Sequence, residues 1–522
     1  MTIANAAQIQ KTVADPLAQY ETLAPLWQKS RAVCSGERFV KSLDSLLDTT
    51  RFTNLLLPFS PTMTQRQYDF YKSEAELPGI TAEFSKMLVG GLLRKQPTLS
   101  FKRDVPEGAV NWILNNFGQD DKPMSAFLDD SVWEEIQTSR AWVFVDYPRV
   151  NSEELMPEEL AKVKPYPVLW KAESVINWRT TTNAFGTSTL ERVIVRGLEE
   201  SYNEKNEFHA VLTDTVRVHE IVNGYYQVRV FQATAPTTNA PVISGKLQVN
   251  NVKNAPAFEL KETIENILMN GERLTYIPAW PLNGGVDPCE PMLMSIIDKE
   301  IALYNKISRR NHLLYGAATY TPVISSDMTD EEFEKTVGGG LGTWIRLRQD
   351  DTASVLKTPT EALQDMDKAI AAGIEEMAKL GIRMLSPETA QSGIALEIRN
   401  AAQTARLGSL NTKISNTFKQ VIALMVNWRY DLDLTSADVE FRLSDDFNPT
   451  PLGADWLRLA TEWYQAGLIP RSVWVNLLKQ NELLEPDYDD EKGKQEITQD
   501  QTFLTANTPN QNFGEDTLKN LA

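Results

Sequence analysis

Three long stretches in the second half of the chain place apolar residues at three- and four-residue steps. Such spacing collects apolar side chains on one face of an α-helix. The first stretch begins after Pro291, the second begins at about Thr360, and the third runs without a proline from Glu388 to Tyr430. The apolar residues are, in order, Leu293, Ile296, Ile297, Ile301 and Tyr304; Leu363, Met366, Ile370, Ile374, Met377, Leu380 and Met384; and Leu407, Leu410, Ile414, Phe418, Val421, Met425 and Trp428. We predict three amphipathic helices, the last unusually long for a compact domain.

The first half of the chain changes from a helical to a two-residue period. Amphipathic helices are predicted at residues 20–30, 36–47, 64–73, 82–93 and 125–138, followed by a strand at residues 142–147. Residues 167–250 alternate apolar and polar side chains, as the strands of an antiparallel sheet do. Asn223-Gly224 between two such strands predicts a type I′ hairpin turn. The sequence therefore predicts an α+β fold.

Length and composition narrow the class of protein. A chain of 522 residues exceeds a single core, so two to four domains are expected. No run reaches the roughly 18 apolar residues of a membrane helix, and the start of the chain is too polar for a signal peptide. Cys34 and Cys289 are the only cysteines, and we interpret both as free thiols. The formal net charge of −18 argues against tight phosphate binding, but it fits both a soluble protein and a channel wall along which DNA slides.

The sequence offers little catalytic chemistry. His209, His219 and His312 are isolated in the sequence, and packed or surface roles are expected for His209 and His219, which lie in strand-like segments. The glycine-rich residues 338–342 lack the Lys-Ser/Thr that a phosphate-binding loop requires. The acidic residues 487–491 fit a solvated run better than a metal site. We expect no enzyme activity, cofactor or metal.

Two short helices are predicted near the C-terminus, at residues 453–465 and 471–479. Their turn is similar to that of a helix-turn-helix DNA reader. The acidic residues that follow directly favour a helical packing unit instead.

The three long helices share their order with a known family. Ile297-Asp298-Lys299-Glu300-Ile301-Ala302-Leu303-Tyr304-Asn305 follows a proline-rich strand, and Ser392-Gly393-Ile394-Ala395-Leu396 opens the longest helix. A glycine-rich, β-like insert separates the first two helices. This order resembles the core of the portal proteins of tailed bacteriophages, which form the ring at one capsid vertex through which DNA enters and leaves. Apolar stripes alone would favour an ordinary helical core, because they report packing and not function; the shared order of the elements is what points to the family.

The resemblance implies a domain organisation. It makes residues 1–290 a helical and β-rich wing region, 291–316 and 359–385 two stem helices, and 317–358 a small β clip. Residues 386–391 become a tunnel loop, 392–441 a long kinked helix with a return to the wing, and 442–522 a crown and tail. A bend is expected at Gly408-Ser409, because such a pair weakens the helical hydrogen-bond ladder.

The resemblance also implies functional residues. The tunnel loop would present Ser386, Pro387, Glu388, Thr389 and Gln391 to the channel, although an outward-facing turn is the alternative. Candidate channel-facing cations are Arg309, Arg310 and Arg383. In the clip, Trp344, Arg346 and Arg348 would lie on a strand that pairs either with a neighbouring subunit or within one subunit.

The resemblance further implies partners and location. It implies a homo-oligomeric ring, dodecameric in the family, with double-stranded DNA passing through without sequence recognition. Expected protein partners are the large terminase subunit, head-tail adaptor or tail proteins, and the major capsid and scaffolding proteins. The protein would be assembled in the host cytoplasm and reside in the virion. The alternative is a non-ring structural or adaptor protein of α+β fold.

Overall fold

A computed structural model gives the architecture of most of the chain. It describes residues 13–43, 64–148, 163–182, 186, 188–203, 206–234, 257–318, 321–325, 329, 331, 352–356, 361–385, 393–444, 454–480, 483–484, 488, 490, 493 and 495. The chain divides into two compact units, Met1–Asp445 and Asp446–Ala522. Mixed helices and antiparallel strands confirm the α+β class.

The helices of the first unit lie on both sides of a central block of strands in the sequence. They are α1 Ala18–Ser35, α2 Glu37–Leu43, α3 Gln65–Glu74, α4 Ile80–Leu92, α5 Ala109–Asn115, α6 Met124–Thr138, α7 Met294–Ala318, α8 Glu361–Leu385 and α9 Gly393–Tyr430. The strands are β1 Thr98–Phe101, β2 Trp142–Asp146, β3 Tyr166–Trp170, β4 Val175–Thr182, β5 Ser188–Asn203, β6 Asn206–Val222, β7 Tyr225–Ala233, β8 Phe258–Ile264, β9 Leu268–Met269, β10 Glu272–Arg273, β11 Ala279–Pro281, β12 Thr321–Ser325, β13 Thr352–Leu356 and β14 Val439–Arg442.

An antiparallel sheet in the order β4-β5-β6-β7-β8 forms the largest β-structure. β6 and β7 meet at Asn223-Gly224, whose φ angles of 54° and 83° are those of the predicted type I′ turn. The fifth strand, β8, lies beyond the residues predicted for the sheet. A second sheet, β11-β2-β3, adds the strand predicted at residues 142–147. The two sheets and α1 share one apolar core.

The helices predicted from apolar spacing are present. α7 ends at Ala318, close to the predicted end of the first stem helix at residue 316. α9 spans 38 residues without interruption. Its second half is buried around Phe418, which packs with Phe117, Phe127 and Phe441 at ring-centroid distances of 5.7–6.3 Å. The bend expected at Gly408-Ser409 stays a prediction.

β1 and β14, which lie far apart in the sequence, form a two-stranded antiparallel ribbon in the first unit. Leu99 and Phe101 on one face pair with Phe441 and Val439, whereas the other face is exposed. Neither β1 nor the short helix α5 is predicted by the sequence pattern.

The second unit contains the two short helices predicted near the C-terminus, α10 Ala454–Gln465 and α11 Arg471–Gln480. Gly467 between them adopts a φ of 70°, which favours glycine. Tyr464 stacks on Trp474 with ring centroids 4.9 Å apart, and Arg471 forms an ion pair with Asp490 at 2.9 Å. The acidic run therefore supplies an internal partner for the second helix.

Candidate functional site

The long helices α7 and α8 pack antiparallel. Lys299 forms an ion pair with Glu376, while eleven residues further along α7, Arg310 pairs with Asp367 at 2.8 Å. Between these pairs Gly373 faces Leu303, and a Cβ at Gly373 would come within 3.1 Å of Leu303 Cδ1. The absence of a side chain at Gly373 thus allows the two helices to approach closely.

The apolar stripe of α7 is buried within the chain itself. Its members Leu293, Ile296, Ile297, Ile301 and Tyr304 are all buried. The stripe is therefore covered without a neighbouring chain. The physical reason is that α7 contacts α1, α3, α4 and α8 of its own chain, which cover the stripe.

Glu300 anchors α7 to α4 from within that buried face. Its two carboxylate oxygens accept the backbone N–H groups of Ile80 and Thr81 at 2.9 and 2.7 Å. These N–H groups open α4, where Gly79 supplies no capping side chain. A carboxylate at a helix N-terminus is favoured by both the free N–H groups and the helix dipole. Glu300 therefore caps a helix more than two hundred residues away in the sequence.

The stripe of α8 is covered only in part. Met377 is 1% exposed, but Ile374 is 42% exposed, and Leu363, Met366 and Ile370 are half-buried. Isolated exposed apolar residues are common, whereas this stripe continues along several turns of one helix. The chain therefore presents an apolar helix face to its surroundings.

The three candidate channel cations differ in their surroundings. Arg310 is engaged by Asp367, as described above. Arg309 is exposed and hydrogen-bonds the hydroxyl of Tyr71, where burial raises the pKa of the tyrosine and Arg309 opposes that shift. Arg383 belongs to the last turn of α8, and its side chain is outside the described part of the structure. Arg309 and Arg310 follow each other on α7, and among the contacts that the structure describes Arg310 is the one of the two that pairs with α8.

The proposed clip and tunnel loop are described only at their edges. β12 pairs with β13 in register from Thr321↔Leu356 to Ser325↔Thr352, so the hairpin at the base of the insert forms within one chain. Residues outside the described part include Trp344, Arg346, Arg348, Ser386, Pro387, Glu388, Thr389 and Gln391. Their roles stay predictions.

A buried ion cluster lies beside this helical layer and was not predicted. Arg31 of α1 donates to Glu134 of α6 at 2.7 Å and to Glu173 at 2.7 Å. The Arg31 guanidinium lowers the pKa of the Glu134 carboxyl against the effect of burial. The cluster joins α1, α6 and the turn between β3 and β4, so it fixes the helical layer against the sheets.

A second buried cation, Arg140, is enclosed by three indole rings. Its guanidinium carbon lies 4.1 Å from the ring centroid of Trp178, 5.4 Å from that of Trp142 and 6.0 Å from that of Trp27. It also donates to the carbonyl of Val286 at 2.8 Å. Burial lowers the pKa of Arg140 to about 10, which still leaves it charged at neutral pH. No sequence motif signals this cage, because its members are far apart along the chain.

The histidines and cysteines have structural surroundings where these are described. His219 is buried, and its Nδ1 lies 2.7 Å from the Tyr226 hydroxyl. His312 lies against Tyr71 and Glu74. Cys34 and Cys289 are free thiols, as expected. The described residues include no cluster of His, Cys, Asp and Glu that could hold a metal ion. None of the described helices is long and apolar enough to cross a membrane.

Comparisons with known proteins return one family and a set of solved structures. Residues 292–429, which cover α7 to α9, match a family described as a domain of unknown function (DUF4055). No curated protein matches the chain.

Three similar solved chains come from gene transfer agent particles. One is from the virion of the native particle, with 9% identity, 76% of this chain and 89% of that chain covered, and a TM-score of 0.35. The second is from the neck of the empty particle computed with C6 symmetry, with 10% identity, coverage of 80% and 95%, and a TM-score of 0.34. The third is from the neck of the native particle computed with C12 symmetry, with 10% identity, coverage of 80% and 95%, and a TM-score of 0.32.

Proposed function

We propose that this chain is a portal subunit, which forms a closed ring at one vertex of a phage-like capsid. The ring would be the channel for genome packaging and ejection, and the docking site for the packaging motor and the tail. The observation that carries the proposal is the order of elements α7, β12–β13 hairpin, α8 and α9, which follows the order of a portal's stem, clip, stem and long helix. The motif residues Ile297, Ile301 and Tyr304 are buried and pack α7 against the rest of its own chain.

The half-covered face of α8 supports assembly. In a closed ring each subunit presents one face to the neighbour on one side and a complementary face to the neighbour on the other. The exposed Ile374 and the half-buried Leu363, Met366 and Ile370 give α8 the apolar surface that such a contact needs. Burial of this surface between subunits would lower the free energy of the ring.

The charge of the chain supports passage of DNA rather than tight binding. At a net charge of −18 the protein repels phosphate on average, so a duplex in a channel of such subunits meets few deep binding minima. In this proposal Glu388 forms an acidic collar with Thr389 and Gln391 nearby, and Arg309, Arg310 and Arg383 supply local cations. Replacement of Glu388 by Lys would leave assembly intact and impair packaging or retention of DNA. Normal packaging by that variant would remove the tunnel-loop assignment.

Ring assembly is tested by the mass of the purified protein. Light scattering after size exclusion should show a closed oligomer of many 58.8 kDa chains, and negative-stain images should show rings. Ile374→Asp should shift the protein to smaller species, because it places a charge on the interface. Ala372→Asp introduces the same charge at an exposed position about half a turn away on α8, and it should assemble normally.

Two outcomes would contradict the proposal. A native chain that is monomeric at all concentrations and salt conditions would favour the alternative, a non-ring structural or adaptor protein. Equal assembly of Ile374→Asp and the native chain would remove α8 from the interface. Ile297 and Ile301 are unsuitable for this test, because both are buried within the chain and their replacement would unfold it.

A further inference from the structure

A polar groove lies between α9 and the exposed face of the β1–β14 ribbon. Its volume is about 660 Å³, and its lining includes Thr98, Ser100 and Lys102 from β1 and the residue after it. Arg442 of β14 and Lys419 of α9 are the other cations in the lining. Because Thr98, Ser100 and Lys102 alternate along one strand, all three side chains belong to the same face.

The groove is basic although the chain as a whole is acidic. Three cations, Lys102, Lys419 and Arg442, line it together with one carboxylate, Glu440. Glu440 accepts the Ser100 hydroxyl at 3.0 Å and lies 3.9 Å from the Lys102 ammonium. Within the part of the chain that the structure describes, Lys419 has no ion-pair partner. The described lining of the groove thus carries more cations than carboxylates.

We infer that this groove is a docking site for an acidic peptide segment of a partner protein. Carboxylate side chains of such a segment match the cations Lys102, Lys419 and Arg442 that line the groove. A volume of about 660 Å³ lies within the range of about 300–1,000 Å³ that is usual for small-ligand sites, so the groove has room for a few side chains of a bound segment. A DNA duplex, whose major groove alone is about 12 Å wide, is too large to be enclosed by this groove. The inference goes beyond the portal proposal and does not depend on ring formation.

The inference is tested with a fluorescently labelled peptide of alternating Glu and Gly, and with Gln-Gly and oligothymidylate probes of the same length. The native chain should bind the Glu-Gly peptide in preference to both other probes, and added salt should weaken that binding. Lys102→Glu/Lys419→Glu should reduce the affinity by at least about fivefold, because attraction to two cations becomes repulsion. Lys86→Glu/Lys368→Glu makes the same charge change at exposed positions on α4 and α8, and it should bind as the native chain does.

Several results would overturn the inference. One is equal binding of the acidic peptide by both double variants, and another is no binding by the native chain. A preference for oligothymidylate that the Lys102→Glu/Lys419→Glu change removes would identify the groove as a nucleic-acid site instead. Circular dichroism and melting curves check that both variants fold. If the Glu variant fails to fold, Lys102→Gln/Lys419→Gln replaces it, and unchanged peptide affinity in that variant overturns the inference equally.

Discussion

Glu300 offers a direct test of how α7 is anchored to the rest of the first unit. Its buried carboxylate accepts two backbone N–H groups at the start of α4, from Ile80 and Thr81. We expect Glu300→Gln to destabilise this unit, because the amide retains one acceptor oxygen and turns an NH₂ donor toward a backbone donor. The shape of the side chain is almost unchanged, so the effect reports hydrogen bonding and charge.

The expected loss can be worked from the geometry. A hydrogen bond to a charged acceptor contributes about 1.5–3 kcal/mol to stability. A charge at a buried helix N-terminus adds up to about 2 kcal/mol through the helix dipole. Glu300→Gln removes one such bond and the charge, so we expect a decrease of about 2–4 kcal/mol in the free energy of unfolding.

Urea denaturation and hydrogen exchange measure this effect together. Urea reports the free energy of the first unfolding transition, and exchange in the peptide covering residues 79–92 reports whether α4 opens. The control is Asp298→Asn, which lies two residues away on α7. Asp298 is exposed and pairs with Lys29, so its loss should cost less than about 1 kcal/mol.

The reasoning would be refuted if the two variants lost the same stability. It would also be refuted if exchange across α4 were unchanged in Glu300→Gln. Either result would mean that the N–H groups of Ile80 and Thr81 find equivalent partners without the carboxylate.

Three further predictions concern other buried groups. Gly373→Leu should separate α7 from α8 and lower the melting temperature, whereas Gly373→Ala should be much milder, because its Cβ meets only the end of the flexible Leu303 side chain. Burial raises the pKa of Glu135 to about 8 from 4.5, so the native protein should lose stability as pH rises between these values; Glu135→Gln should remove this loss in urea melts at several pH values. Burial lowers the pKa of His219 to about 3 from 6.5, so the free energy of unfolding should fall as pH drops through that interval. In His219→Phe the free energy of unfolding should depend less on pH over the same interval, as measured by urea melts.

Features with a local cause could be predicted from the sequence. The spacing of Ile297, Ile301 and Tyr304 predicts α7, because a helix that packs on a core repeats its apolar contacts every turn. Asn223-Gly224 predicts its hairpin, because only residues that tolerate positive φ fit a type I′ turn. The candidate site is predicted less completely: Arg309 and Arg310 lie on α7, but the Arg310 partner Asp367 follows only from the packing of two distant helices.

Features that depend on distant partners could not be predicted in this way. β1 is four residues long and becomes a strand only through β14. Arg31 and Arg140 are charged residues that a sequence pattern places at the surface, yet carboxylates and indole rings from other segments enclose them. The burial of Glu300 has the same origin, since its partners are backbone N–H groups of another helix.

The pairing of β1 with β14 determines how late in synthesis this ribbon can form. Ser100 and Glu440 are 340 residues apart, so β1 leaves the ribosome long before its partner strand exists. At about 5–20 residues per second, translation of the intervening chain takes on the order of twenty to seventy seconds. Throughout that interval Leu99 and Phe101 lack the strand that completes their packing. The nascent chain therefore carries an unpaired apolar segment through most of translation, and chaperones that shield apolar segments can bind it there.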